Sequence, residues 1–596
     1  MSRYRRLHRL LTPKLFSRRA VLRGLVASSA LPLLSGCGDS AVGALAGLPQ
    51  TPPGLLPPTG KAEFMHGVAS GDPLPDRVML WTRVSGVGGS VPVDWEAALD
   101  ENFADIVRSS RTASAVTTDA GRDYTVKVDV SGLSPGSTYF YRFMALGVTS
   151  PVGRTRTAPA GQAERVRLGL VSCSNYSTGF FNAYKVLARR DVDAVLHVGD
   201  YLYETGNVGT LGRAHLPPHE IVTMADYRGR HAQYRSDPDL QAMTAAHPMI
   251  VVWDDHESTN DSWLDGAQNH QPDTEGDWQV RKAAAVTAYA EWMPIRLPEP
   301  GNPLKIWRRF AYGDLIDLFM LDTRLQRNVP GTETSATGTE SFNSNRTMLG
   351  VEQRQWLMDG MKDSQASGVR WRVLGQQTMI SPHRESPDPR FSPLPYLPPD
   401  VAEEMGIRPG GGNEGSDNWG AYAFERDLLM GYWRREGIAN NVVLTGDIHR
   451  AWVSAVVEDP YTPFNPASPS LTGVPGYNPM TGEGAVAVEF TCMSVTSNNL
   501  VDQPNGVEQA TVLNAAVVAA NPNVPYHNMA AHGFVLLDVT RDAVTGEYWN
   551  TGSVLAPFDA IQDASFDAGY RTSHGNAGAA GTHQLTAVSE STTPRA

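Results

Sequence analysis

Continuous apolar runs, rather than alternating ones, punctuate the centre of this chain, and each gives way to polar residues at its end. VRLGLVSC ends at Cys173, AVLHVGDYLY at Asp200 and Tyr203, MIVVWDDH at Asp255 and His256, and VVLTGDIH at Asp447 and His449. A Val/Ile/Leu run without alternation predicts a strand buried on both faces. Between the first two runs, TGFFNAYKVLARR carries apolar positions at helical spacing. Residues 165–200 therefore predict a strand–helix–strand unit with parallel strands and a right-handed crossover.

The pattern differs on either side of this centre. Residues 61–160 show short alternating stretches (DRVMLWTRV, DYTVKVDVSG, STYFYRF) separated by turn residues, which predicts a small all-β domain. Its Leu133–Tyr141 stretch resembles the tyrosine corner of fibronectin-type sandwiches. This domain reads as a structural cap, with substrate shielding or partner binding as the alternative, and His66 and Asp72 read as structural. Residues 205–248, polar and aromatic with a helical part at 226–246, are expected to roof the ends of the strands. A helix follows over 277–293, then a hairpin over 306–324 and a strand at 371–380. The Pro/Gly-rich stretch 382–418 predicts a long loop or second lid. Residues 442–458, 485–497 and 533–549 predict further strands, and 575–596 a disordered tail.

Composition adds where the protein works. With 41% hydrophobic and 19% charged residues among 596, the body is globular. The formal charge is −13, yet residues 1–37 hold eight Arg and Lys and no acid, so the remainder has 42 basic against 63 acidic residues. An acidic surface excludes nonspecific nucleic-acid binding. Ser17-Arg18-Arg19 with the apolar stretch after it resembles a twin-arginine export signal, and Leu34-Ser35-Gly36-Cys37 a lipobox. The apolar stretch is too short to span a bilayer. The expectation is a chain exported by the twin-arginine machinery and anchored to a membrane through lipidated Cys37, the outer membrane in a Gram-negative cell. Residues 38–60 then form a Pro/Gly-rich tether. Of the three cysteines, Cys37, Cys173 and Cys492, only the last two remain for a disulfide. The run AVAVEFTCMSV suggests an inert core thiol for Cys492. A monomer is expected.

Six candidate ligands thus fall at strand ends, the place where layered α/β proteins bind their ligands. Asp200 and Tyr203 stand three residues apart on the turn leaving one strand, and a carboxylate there can bridge two cations. Tyrosine ligates poorly unless the cation is hard and highly charged, because its pKa near 10 must be overcome. Fe³⁺ meets that condition, with Cys173 as a second anionic ligand. Asp255 and Asp447 offer hard oxygen, suited to Ca²⁺, Mg²⁺ or Mn²⁺.

The set SCSN, GDYLYE, WDDHE, LDTR, GQQ and GDIH behind a small β-domain resembles the PhoD-type alkaline phosphatases, a branch of the calcineurin-like metallophosphoesterases. The resemblance covers roughly residues 61–570. It implies an α/β fold, a four-layer αββα metallophosphoesterase sandwich over 161–574, preceded by the fibronectin-like β-sandwich at 61–160. It further implies Fe³⁺ held by Cys173, Asp200, Tyr203 and His449, and Ca²⁺ held by Asp200 as the bridge, Asp255 and Asp447. The wider superfamily has Asn-His where this chain has Asp255-His256, Gly-His-x-His at Gly446–His449, and a His ligand near Gln376. These changes favour Ca²⁺ over Zn²⁺. The ligands of any second Ca²⁺ stay open.

The expected reaction is hydrolysis of phosphate monoesters or diesters by attack of a hydroxide bridging the two cations. His256 would protonate the leaving alcohol, or serve only as a hydrogen-bond partner of a ligand. Arg324 and Asn260 are candidate phosphate contacts, and equally candidate salt-bridge and turn residues. Two other readings stand beside this one: a phospholipase D-like diesterase acting on lipid or polymer, and a non-catalytic surface lipoprotein that uses metal for stability.

Overall fold

The computed structural model describes residues 60–592, except 208, 210, 331–343, 384–416, 466–474, 560–561 and 576–582, and the side chain of residue 112. The export signal, nearly all of the tether and most of the expected second lid lie outside the described residues. Two sheets pack face to face. The first has ten strands, and its centre is parallel: Arg165–Val171, Ala194–His197, Pro248–Val251 and Val68–Leu74 lie side by side. The second has seven, with Ile316–Met320, Trp371–Gly375, Asn441–Thr445 and Ala487–Thr491 parallel in that order.

Burial on both faces explains the continuous apolar runs. Leu168, Leu170, Leu196 and Ile250 of the first sheet meet Leu318, Val373, Val442 and Leu444 of the second in a dry layer between them. The alternate residues Val171, Val195, Met249 and Val251 face a helical layer that contains Tyr184, Leu187, Tyr234 and Tyr289. Helices Gly350–Ala366 and Ala423–Arg435 cover the outer face of the second sheet, packing Leu357, Met361, Leu429 and Trp433 against it. The order of layers is αββα, as expected. The unit at 165–200 has its two strands parallel with helix Asn182–Leu187 between them, and 308–320 is a hairpin.

The N-terminal region is all β, with a core of its own that includes Val93, Trp95, Val128, Tyr139 and Tyr141. The expected tyrosine corner is there: the Tyr139 hydroxyl accepts from the Ser134 amide at 2.8 Å. Its separation from the rest is less than the pattern suggested. Val68–Leu74, Arg77–Arg83 and Thr125–Ser131 extend the first main sheet, so one layer of the small sandwich is continuous with the large one. Buried Asp72 holds Arg308 with both oxygens at 2.9 Å, which gives it the structural role expected.

Two further expectations change. The 205–248 segment does not simply roof the strand ends. Its helices Met224–Arg235 and Pro238–Ala246 belong to the outer layer, where Tyr227, Tyr234, Leu240 and Met243 are core. The tail expected to be disordered carries a strand, Thr586–Val588, paired with Ser565–Ser573, and Thr592 donates to Glu547. Cys492 is a core thiol, as expected, and both it and Cys173 are buried and free; Ser172 stands between them, its Oγ 3.1 Å from the Cys492 sulfur and 3.2 Å from that of Cys173.

Candidate metal centre

All six predicted ligands sit just beyond the carboxyl ends of strands. Cys173 follows Arg165–Val171, Asp200 and Tyr203 follow Ala194–His197, and Asp255 follows Pro248–Val251, all in the first sheet. Asp447 and His449 follow Asn441–Thr445 in the second. The turns that carry them are tight. Cys173, Asp200, Asp447 and His449 all have φ between 56° and 69°, the left-handed region that costs a non-glycine residue about 1–3 kcal/mol. Four strained positions, two from each sheet, mark a site where geometry is held against local preference. Gly199 precedes Asp200 at φ 113°, and a Cβ there would lie 2.3 Å from the Asp254 Cβ. The first sheet's two acidic turns therefore touch backbone to side chain.

Two ligand groups result. Cys173, Asp200 and His449 bring a sulfur, an oxygen and a nitrogen within 4.8 Å of one another. Tyr203 joins them, its hydroxyl 2.8 Å from Asp200 Oδ2 and 3.1 Å from His449 Nε2. His449 Nδ1 donates to the Asn498 carbonyl at 3.1 Å, which leaves the Nε2 lone pair for a cation. Asp254, Asp255 and Asp447 make a second group of oxygens within the same limit, and Asp200, Asp255 and His256 link the two.

The electrostatics are those of a ligand set. Burial pushes the Cys173 thiol, the Tyr203 phenol and the Asp200 and Asp254 carboxyls well above their usual ranges, and mutual repulsion adds to it. Asp447 is raised by the same burial. Asp200 Oδ1 and Asp254 Oδ2 are buried with no hydrogen-bond partner among the described residues. Buried carboxylate oxygens are rarely left so, and a cation satisfies them directly. A sulfur, a phenol, an imidazole and a carboxylate suit a trivalent ion, and the oxygen group suits a hard divalent one. The residues present fit such a pair.

Two acids not singled out from the sequence build the scaffold. Glu257 accepts from the amides of Asp200 at 3.1 Å, Asp254 at 2.8 Å and Tyr201 at 2.6 Å, so one carboxylate ties both acidic turns together. Glu204 accepts from His256 Nδ1 at 2.6 Å. Burial alone would raise Glu204, but His256 and hydrogen bonds from Asn260 and Asn269 bring it down to about 2. Burial likewise works against a charge on His256, yet Glu204, Asp200 and Asp255 hold its pKa well above the ordinary value. Its ring lies over Tyr203, centroids 4.1 Å apart.

Arg324 is wholly buried in this acidic edge. Its Nε faces Asp254, its other two nitrogens face Asp417 and Asp447 (the latter at 2.8 Å), and Asp255 lies 3.8 Å away. Arg327 also holds Asp417, whose side chain further groups with Asp255 and Asp261. Asn260 donates its amide to Glu204 at 3.0 Å and its side chain to Gln268 at 3.1 Å. Gln376, where the wider superfamily has a ligand, instead accepts from the Trp419 indole at 2.8 Å. Asp254, Glu204 and Glu257 lay inside the motifs GDYLYE and WDDHE, where spacing alone does not say which acids face the edge. Asp417 borders a Pro/Gly-rich loop and gave no signal.

Comparison with known proteins fits this geometry. The model of the PhoD-like phosphatases matches residues 168–548, and that of their N-terminal domain matches residues 51–159. The chain belongs to the PhoD-like phosphatase family. Alkaline phosphatase D of Bacillus subtilis (strain 168) is 35% identical to it over 520 residues, 83% of this chain and 78% of the relative. A solved structure of PhoD matches with a TM-score of 0.71 at 31% identity, covering 89% of this chain and 93% of the other. The family makes this protein a phosphoric ester hydrolase, with phosphate esters as substrates.

Proposed function

We propose that this family member is an exported, metal-dependent phosphatase whose Fe³⁺ is held by Cys173, Asp200, Tyr203 and His449, and whose Ca²⁺ is held by Asp200, Asp255 and Asp447. The observation that carries this reading is the meeting of a thiol, a phenol, an imidazole and a carboxylate on strained turns from the two sheets. Divalent sites seldom use phenol, and a trivalent cation gives it a reason to be there. When bound, such a pair of cations supplies positive charge for acidifying water and for neutralising phosphoryl oxygens.

The chain's own residues do the rest. Glu204 accepts a hydrogen bond from His256 Nδ1–H, which fixes the ring and keeps it charged, so that the Nε2 proton can go to the leaving alcohol. Glu257 keeps the Asp200 and Asp254 turns in register. Arg324 neutralises the carboxylates around it, and a phosphate reaching Asp447 would meet its guanidinium. Asn260 closes the turn that holds Glu204 in place. The paired arginines, lipobox and acidic body support export by the twin-arginine route and a lipid anchor at Cys37, with the enzyme facing the periplasm or cell surface.

The test is reconstitution. Protein stripped by a chelator should lose hydrolysis of a chromogenic phosphate monoester and regain it with Fe³⁺ and Ca²⁺ together. Recovery with Zn²⁺ alone would contradict the assignment. Running the matching diester in parallel measures which ester the enzyme prefers.

A further inference from the structure

Residues 494–498 leave the second sheet beyond Ala487–Thr491 and cross to the end of the first. This strap touches three of the four residues on the iron side. Val495 donates its amide to the Ser172 carbonyl at 3.0 Å, and Thr496 and Ser497 donate theirs to Cys173 at 3.3 and 3.1 Å. Asn498 accepts from His449 Nδ1. The buried Ser497 hydroxyl lies 2.6 Å from the Tyr203 oxygen.

That hydroxyl has one proton and two acceptors within reach. The Cys173 carbonyl is 2.9 Å away, but it already accepts the two backbone amides. The Tyr203 oxygen is closer, and its own proton is directed at Asp200. The proton therefore belongs on the Tyr203 side. Behind the strap, Ser494 donates to the Ser497 carbonyl at 2.6 Å and lies 3.0 Å from His532 Nδ1, and His532 Nε2 lies 3.1 Å from Asp502. The Asp502–His532–Ser494 chain fixes the backbone that aims Ser497.

We propose that Ser497 is a positioning residue of the metal centre: its hydroxyl donates to the Tyr203 oxygen and sets both the direction of that oxygen and the electron density it offers to a metal. This rests on the reading of Tyr203 as an iron ligand. A hydrogen bond to a ligating atom draws density from it, which raises the energy of ligand-to-metal charge transfer and the reduction potential of the metal. Loss of such a partner also weakens metal binding by about 10–100-fold.

Visible absorption of the full-length enzyme at saturating iron tests this, with iron content measured on the same samples. Ser497→Ala should retain iron, shift the charge-transfer band to longer wavelength and weaken iron retention against a chelator. Ser497→Thr, which keeps the hydroxyl, should restore the wild-type band. An unmoved band in Ser497→Ala with full iron would overturn the proposal, and so would loss of iron from both variants, since packing rather than the hydroxyl would then be responsible. Failure of the underlying reading looks different: wild type and Tyr203→Phe would share one spectrum.

Discussion

At the scale of single residues, the proposed mechanism separates groups that hold a cation from groups that move a proton. Glu204 and His256 are hydrogen-bonded to each other, and in that mechanism they move the proton while other residues hold the iron. His256→Ala should lower kcat by about 10²–10⁴-fold while metal content stays intact. Glu204→Gln should lower it less and pull in the alkaline side of the pH profile, because the ring loses the carboxylate that keeps it charged. Equal loss of iron and activity in His256→Ala would instead make it a holder of the site. Much of this site was legible in the sequence. Cys173, Asp200, Tyr203, Asp255, Asp447 and His449 each end an apolar run, and a strand end fixes where a side chain goes. Glu257 and Asp254 were harder, since their roles depend on contact between turns from separate strands. Ser497 and Asp417 sit on loops whose course no local pattern dictates.

At the scale of elements, the catalytic edge is made by strands that stop together and turn left-handed. Gly199 lets the Asp200 turn lie against Asp254, with no room for a Cβ. Gly199→Ala should push the two ligand turns apart, cost about 2 kcal/mol or more in stability, and reduce metal content and activity together. Denaturant unfolding beside metal analysis checks it; a fully loaded, active variant would contradict the close-contact account. The continuous runs predicted buried strands, and the helical periodicity at 277–293 predicted Trp278–Trp292. The outer-layer helices at 224–246 read as a possible lid because their polar surface hides a few deep anchors. Arg230 is one, reaching the carbonyls of Tyr203 and Thr205.

At the scale of the whole molecule, the small β-domain and the sandwich share a sheet and a buried boundary. There, His231 stacks on Trp292 at 12°, and neither of its ring nitrogens has a hydrogen-bond partner among the described residues. Burial, with Arg235 adding to it, lowers its pKa to about 3, as burial alone lowers that of His197. Both rings are neutral when folded but titrate near 6.5 when unfolded. Their contribution to stability is fully present above pH 6.5 and is lost as pH falls from there toward 3, by up to about 1.4 kcal/mol per pH unit for each histidine. Unfolding free energy should therefore fall between pH 6.5 and 5, and His231→Phe should flatten the slope by one proton; an unchanged slope would show that His231 does not stay neutral. The same boundary explains why the β-domain could be recognised from sequence while its fusion to the main sheet could not: strand alternation reports a half-buried strand, not the sheet it joins. The central claim is the iron site. Its most direct test is the iron content and visible spectrum of purified protein beside Cys173→Ala and Tyr203→Phe. The account predicts iron with a charge-transfer band that disappears in Tyr203→Phe; colourless wild-type protein that holds zinc would contradict it.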